Sequence, residues 1–177
     1  HPDIPVLRQL RRIGAEITSE MEAFFEVCPC RIIAVTGSDG KTTTTTLIAK
    51  ILEHAGHRVW IGGNIGAPLL PRAAEMQPTD IAVVELSSFQ LMTMERSADI
   101  AVVTNVAPNH LDVHKDMAEY VQAKKNVFEH QTKDGKVVLN FDNAITRGFA
   151  ADAKGAVEFF SRQTRPENGV YLENGVI

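Results

Sequence analysis

Short apolar runs alternate along this chain with longer stretches in which apolar residues recur every third or fourth position. The runs RIIAV (31–35), RVWI (58–61), DIAVVEL (80–86), DIAVVTNV (99–106), KVVLNF (136–141) and AVEFFS (156–161) are rich in β-branched residues and do not strictly alternate. They predict strands covered on both faces, because a strand with one wet face alternates apolar and polar positions. Between them Leu47, Ile48, Ile51, Leu52 and Ala55 recur at helical spacing and stop at Gly56, a residue suited to closing a helix. MAEYVQAKKNVFEH (117–130) repeats that spacing, with Tyr120, Val121, Lys124, Val127 and Phe128 near one face. NAITRGFAADA (143–153) predicts a weaker helix. Strand and helix in this alternation imply an α/β fold, a doubly wound and mostly parallel sheet.

The two ends depart from the pattern. Residues 1–27 read as helix-rich, with GAEIT (14–18) as a short strand, and are expected to be a linker or the tail of a preceding domain. Residues 28–177 form the main unit, and after Ser161 turn signals surround what reads as a hairpin. The whole is expected to be part of a longer protein. At 177 residues and 44% hydrophobic, the chain can bury one full core. Its net charge of −4, with no basic stripe, speaks against nucleic acid as a partner. No apolar run approaches the ~20 residues that span a bilayer, and the first residues lack the order of a secretory signal. Cys28 and Cys30 flank Pro29 with no second Cys or His pair nearby in sequence, so two reduced thiols are expected. A cytoplasmic monomer without a membrane anchor fits these features.

One stretch carries chemistry: AVTGSDGKTTTTTL (34–47) follows a buried strand and opens a helix. That setting is the one a phosphate-binding loop (P-loop) of a Rossmann-like mononucleotide domain requires. Gly37, Ser38, Asp39 and Gly40 can turn backbone N–H groups inward around phosphate oxygens. Lys41 can neutralise phosphate charge, and Thr42 and Thr43 stand in the first helical turn, where a hydroxyl can serve phosphate or magnesium. Thr44 to Thr46 read as packing. The loop is a variant of the usual G-x-x-x-x-G-K-[ST], because Val35 stands five before Gly40 and the nearest earlier glycine is Gly37.

A nucleotide magnesium needs a carboxylate at the end of a neighbouring strand, and IAVVE ends on Glu85. TNVAPNHLDVH leaves the next strand at its carboxyl edge, where open α/β sheets bind ligands. His110 at that exit is a candidate functional group, whereas His114 reads as a packed or solvated residue. The helical spacing turns Lys124 inward and Lys125 to solvent. A buried lysine beside a cationic site must pair with an acid or become anionic, and the spacing alone leaves both routes open.

In order and spacing, TGSDGKTT, GGNIG (62–66), ELSSFQL (85–91), NHLDVH (109–114) and YVQAKK (120–125) resemble the Mur ligases, ATP-dependent amide ligases of peptidoglycan precursor synthesis. The likeness covers residues 31–161 and is strongest to the D-glutamate-adding branch. It implies a three-domain enzyme of which this chain is the central, ATP-binding domain, inactive alone. The implied reaction activates the carboxylate of UDP-N-acetylmuramoyl-L-alanine as an acyl phosphate, which D-glutamate then attacks. The resemblance implies Lys41 on phosphate, Thr42 and Glu85 on one Mg2+, and His110 with a carbamylated Lys124 on a second. It also implies Asn64, Ser87 and Gln90 on the muramoyl-peptide substrate. Where relatives have a paired acid after VVLN, this chain reads Asp142-Asn143. The alternatives are a sister ligase of the superfamily, such as a folylpolyglutamate synthetase, or a non-catalytic ATP-binding module that needs neither His110 nor Lys124.

Overall fold

The computed structural model describes residues 4–108 and 114–177. Seven strands form one sheet: β1 (Arg31–Thr36), β2 (Val59–Gly63), β3 (Ile81–Glu85), β4 (Ile100–Val103), β5 (Lys136–Asn140), β6 (Ala156–Ser161) and β7 (Gly169–Tyr171). Their order is β2-β3-β1-β4-β5-β6-β7, and every neighbouring pair is parallel. In β1 the side chains divide cleanly between two cores. Ile32 and Ala34 join Val84, Ala101, Val103, Phe24, Tyr120 and Phe128 on one face. Ile33 and Val35 join Val83, Val102 and Ala49 on the other. Both faces are dry, which is why the strand sequences are unbroken apolar runs.

The second face is covered by α3 (Lys41–His54), which packs on β1, β2 and β3. Thr45 and Ala49 are buried there, and Ile48 and Leu52 pack beside them. Leu47 and Ile51, expected on the same face, are instead 55% and 66% exposed. The residues 47, 48, 51 and 52 span two helix faces, and the small Thr45 and Ala49 select the one that lies close to the sheet. On the other face lie α4 (Ser88–Leu91) and α5 (Met117–Glu129), which pack together. Two shorter helices precede β1, α1 (Pro5–Arg12) and α2 (Glu20–Val27). Met21 and Phe24 of α2 are buried in the larger core, so residues 20–27 pack with the sheet.

Three expectations change. GAEIT is not a strand; residues 15–19 have no regular structure. The helix expected over 143–153 is a single α-helical segment, α6 (Ala144–Gly148), continued by a 3₁₀ turn over Phe149–Ala151. The hairpin after Ser161 is replaced by β7, which pairs parallel with the end of β6; an antiparallel bridge survives only at Glu173 and Val176. Asp142 makes that return: it accepts hydrogen bonds from the Ser161 hydroxyl (2.6 Å) and the Arg162 N–H (2.7 Å). Burial works against its ionisation, but the bonds from Ser161, Arg162, Gln163 and Thr164 outweigh that and hold its carboxyl below the usual range. Cys28 and Cys30 are free thiols, with sulfurs 3.5 Å apart. Burial, with the neighbouring thiol, pushes Cys30 up to about 12. No helix among the described residues is long and apolar enough to cross a membrane.

Candidate active site

Strand order reverses at β1, so the loops leaving the carboxyl ends of β1, β3 and β4 meet in one crevice. The loop after β1 lies over β4. A Cβ on Gly37, at φ +150°, would stand 1.9 Å from the Thr104 hydroxyl, so only glycine fits. Gly40, at φ +78°, then turns the chain left-handed into the first turn of α3. The exit of β4 braces the loop. The Thr104 hydroxyl donates to the Asp39 carbonyl (2.6 Å), Asn105 Nδ2 to the same carbonyl (3.1 Å), and the Asp39 N–H to Asn105 Oδ1 (3.0 Å). Ser38 is buried, its hydroxyl 3.0 Å from the Tyr120 hydroxyl and accepting the Ala107 N–H at 2.9 Å. Burial holds the Tyr120 phenol above its ordinary value; the Ser38 hydrogen bond only partly opposes this.

Two lysines converge on the loop from opposite walls. Lys41 Nζ reaches back to the carbonyls of Gly37 and Ser38, both at 3.0 Å. Lys124 Nζ donates to the same Gly37 carbonyl at 2.9 Å and lies 4.6 Å from the centre of the Tyr120 ring. Lys124 is 1% exposed, as its helical spacing predicted. Burial, then the charge of Lys41, lowers its pKa from 10.5 to about 7, with Asp39 opposing. Lys125, expected in solvent, is instead largely buried and pairs with Asp152 at 3.0 Å. The turn after α6 brings that carboxylate under the helix.

Glu85 is buried at the end of β3, with one oxygen accepting from the Thr42 hydroxyl (2.7 Å) and the other from Asn64 Nδ2 (2.9 Å). The Asn64 N–H also bonds the Glu85 carbonyl (2.8 Å). The structure therefore brings together Gly37, Ser38, Asp39, Gly40, Lys41, Thr42, Glu85, Asn64 and Lys124. Thr43 is exposed on the first turn of α3. Ser87 and Gln90 form a reciprocal cap at the start of α4: Ser87 N–H and hydroxyl both bond Gln90 Oε1, and the Gln90 N–H bonds Ser87 Oγ. Gln90 Nε2 takes no part in that cap. His110 and Asp112 lie outside the described residues. Asn143, half of the altered acidic pair, caps α6 and donates to the Val106 carbonyl, so it buttresses the β4 exit.

The donor set suits a hard cation: a threonine hydroxyl already touches a buried carboxylate, and magnesium takes oxygen ligands. No cluster of three or more His, Cys, Asp or Glu side chains occurs among the described residues. Sequence reasoning missed Thr104, Asn105 and Tyr120. The TN following an apolar strand was the one signal for the first two.

A parallel sheet with a glycine loop, a lysine and a strand-end carboxylate at its switch point defines a nucleotide-binding class of α/β domain. This chain belongs to the Mur ligase family, whose middle domain matches residues 35–173. It is 58% identical over 175 residues to a UDP-N-acetylmuramoylalanine–D-glutamate ligase of Acetivibrio thermocellus, covering 99% of this chain and 38% of that protein. A ligase of the same name from Ruminiclostridium cellulolyticum is 53% identical over 176 residues, with the same coverage. The chain thus spans about two-fifths of the length of these relatives. Among solved structures, a UDP-N-acetylmuramoyl-L-alanyl-D-glutamate–2,6-diaminopimelate ligase superposes with a TM-score of 0.63 at 24% identity, covering 89% of this chain and 35% of that one. MurF from Acinetobacter baumannii gives 0.61 at 21% identity, covering 78% and 33%. At these identities the structural likeness shows the fold.

Proposed function

We propose that this chain is the central, ATP-binding part of a cytoplasmic ligase that joins D-glutamate to UDP-N-acetylmuramoyl-L-alanine through an acyl phosphate. The observation that carries the reading is the contact of Thr42 with buried Glu85 beside the Lys41 loop, in a chain 58% identical to a ligase of that name. Residues 1–27 lead in from a preceding domain, and the amino-acid site belongs to chain beyond this segment.

In this reading Lys41 leaves its loop carbonyls for the β- and γ-phosphates, and the N–H groups of the first turn of α3 line the same cradle. Thr42 and Glu85 would hold a magnesium ion, which when bound would supply positive charge beside the transferring phosphoryl group. Asn64 keeps Glu85 aimed at that ion. Ser87 and Gln90, at the mouth of the crevice, meet the muramoyl-peptide. Lys124 is held near neutrality, so its amine can add to CO2, forming a carbamate and releasing one proton. That carbamate, with His110, would supply the oxygen and nitrogen ligands of a second magnesium.

The test is phosphate release by the full-length protein with ATP, magnesium and UDP-N-acetylmuramoyl-L-alanine. D-glutamate should stimulate release and appear in the product. Equal stimulation by other amino acids, or none by D-glutamate, overturns the assignment. The present chain alone should show no such stimulation.

A further inference from the structure

We propose that His114 is a positioning residue that holds the substrate-facing turn at Ser87–Gln90 in register with the phosphate loop. His114 is 2% exposed. Its Nε2 is hydrogen-bonded to the Ser88 hydroxyl at 2.9 Å, and Ser88 is the first residue of α4, between Ser87 and Gln90. The imidazole stacks on Phe89 of the same turn, 5.4 Å between centres at 9°. The ring also meets Tyr120 edge-on at 5.1 Å, and the Tyr120 hydroxyl lies 3.0 Å from Ser38 in the phosphate loop. A continuous path through the His114 ring and the Tyr120 phenol therefore runs from the Ser88 hydroxyl to the Ser38 hydroxyl.

Ser88, His114 and Glu119, whose carboxylate is 3.7 Å from His114 Nδ1, have the order of a nucleophile, base and acid. Burial rules out that use. Ser88 is 3% exposed, and no carbonyl can reach a hydroxyl enclosed by its own helix and the histidine ring. What the arrangement can do is fix orientation. Its own cap also ties the turn, and Asn126 donates from α5 to the Leu91 carbonyl at the far end of the helix. A helix of four residues has little rigidity of its own, and two substrates must be held within about an ångström of each other for transfer. His114 supplies the fixed point at the end where Ser87 and Gln90 stand.

This inference rests on the reading of Ser87 and Gln90 as substrate contacts, and its test separates the two. In the full-length protein, His114→Phe keeps the ring but loses the bond to Ser88; Ser88→Ala loses the same bond from the other side. Each should raise KM for UDP-N-acetylmuramoyl-L-alanine roughly ten-fold, the effect of one buried hydrogen bond. KM for ATP should stay within about two-fold, since Tyr120 and Ser38 are untouched. The double variant should be no worse than either single one, and His114→Gln, which retains an amide to meet Ser88, should recover part of the loss. Amide exchange over residues 87–91 should quicken in both variants. Ser88→Ala alters a single atom and decides the matter if His114→Phe does not fold. Unchanged KM with unchanged exchange, or equal rises in KM for both substrates, overturns the proposal. A wild-type protein that forms no product with D-glutamate defeats the functional reading instead, and exchange at 87–91 then decides this one alone.

Discussion

Lys41 and Lys124 donate to the same carbonyl, that of Gly37, from opposite walls of the crevice. Lys41 stands at the open first turn of α3 with a second loop carbonyl in reach, so its ammonium can leave for a phosphate without stranding a charge. Lys124 is sealed beneath the loop against the Tyr120 ring, and burial with the charge of Lys41, opposed by Asp39, brings its pKa down to about 7. In the proposed reading one side chain type would serve as a cation for phosphate on one wall and as a near-neutral amine on the other. Burial and the neighbouring charge, rather than residue identity, make that difference.

Removing the cation proposed for phosphate should have the largest effect. Lys41→Ala takes away a charged donor to phosphate, costing roughly 1.5–3 kcal/mol or more of nucleotide affinity, while the chain remains folded. Calorimetry that finds equal ATP affinity in both proteins would erase the distinction between the lysines. On the other wall, Lys124→Ala should abolish ligase activity in the full-length protein, and added short carboxylates should restore part of it by supplying oxygen donors where the proposed carbamate would stand. Rescue of Lys41→Ala by the same acids would contradict the comparison.

A smaller effect is expected in stability against pH. Between about pH 7 and 10.5 the unfolded chain carries a proton on Lys124 that the folded chain lacks. Stability therefore rises with pH across that window, by at most about 1.4 kcal/mol per pH unit. Below it both states are charged, and the full cost of burying the ammonium is present. Denaturant unfolding in CO2-free buffer should show that rise in wild type and lose it in Lys124→Met; parallel curves would mean the amine is not strained by burial. The smallest effect belongs to Asn64→Ala, which frees one Glu85 oxygen and should raise the magnesium needed for half-maximal activity about three-fold to ten-fold, the net worth of one ordinary hydrogen bond. An unchanged magnesium dependence would leave Asn64 no part in aiming Glu85.

The legible parts of the site were those contiguous in sequence. The strand–loop–helix order around Gly37–Lys41 and the run ending on Glu85 could be read directly, because local pattern and local chemistry coincide there. The inward turn of Lys124 also followed from helical spacing. The brace on the loop was hidden: Thr104 and Asn105 meet Asp39 across 65 and 66 residues, and Tyr120 meets Ser38 across 82. Such contacts depend on β4 lying beside β1, which no local pattern specifies. The parallel strand β7 was missed for a similar reason, since three residues beginning with glycine carry no strand signal and owe their place to β6. Leu47 and Ile51 misled because helical spacing gives a face only when small residues do not decide which side lies closest to the sheet.

The contrast between the two lysines is tested most directly by 13C NMR of the full-length protein equilibrated with 13C-labelled bicarbonate. A single carbamate resonance is predicted in the wild type, retained in Lys41→Ala and absent in Lys124→Met. A spectrum without a carbamate, or one whose carbamate survives the loss of Lys124, would contradict the account.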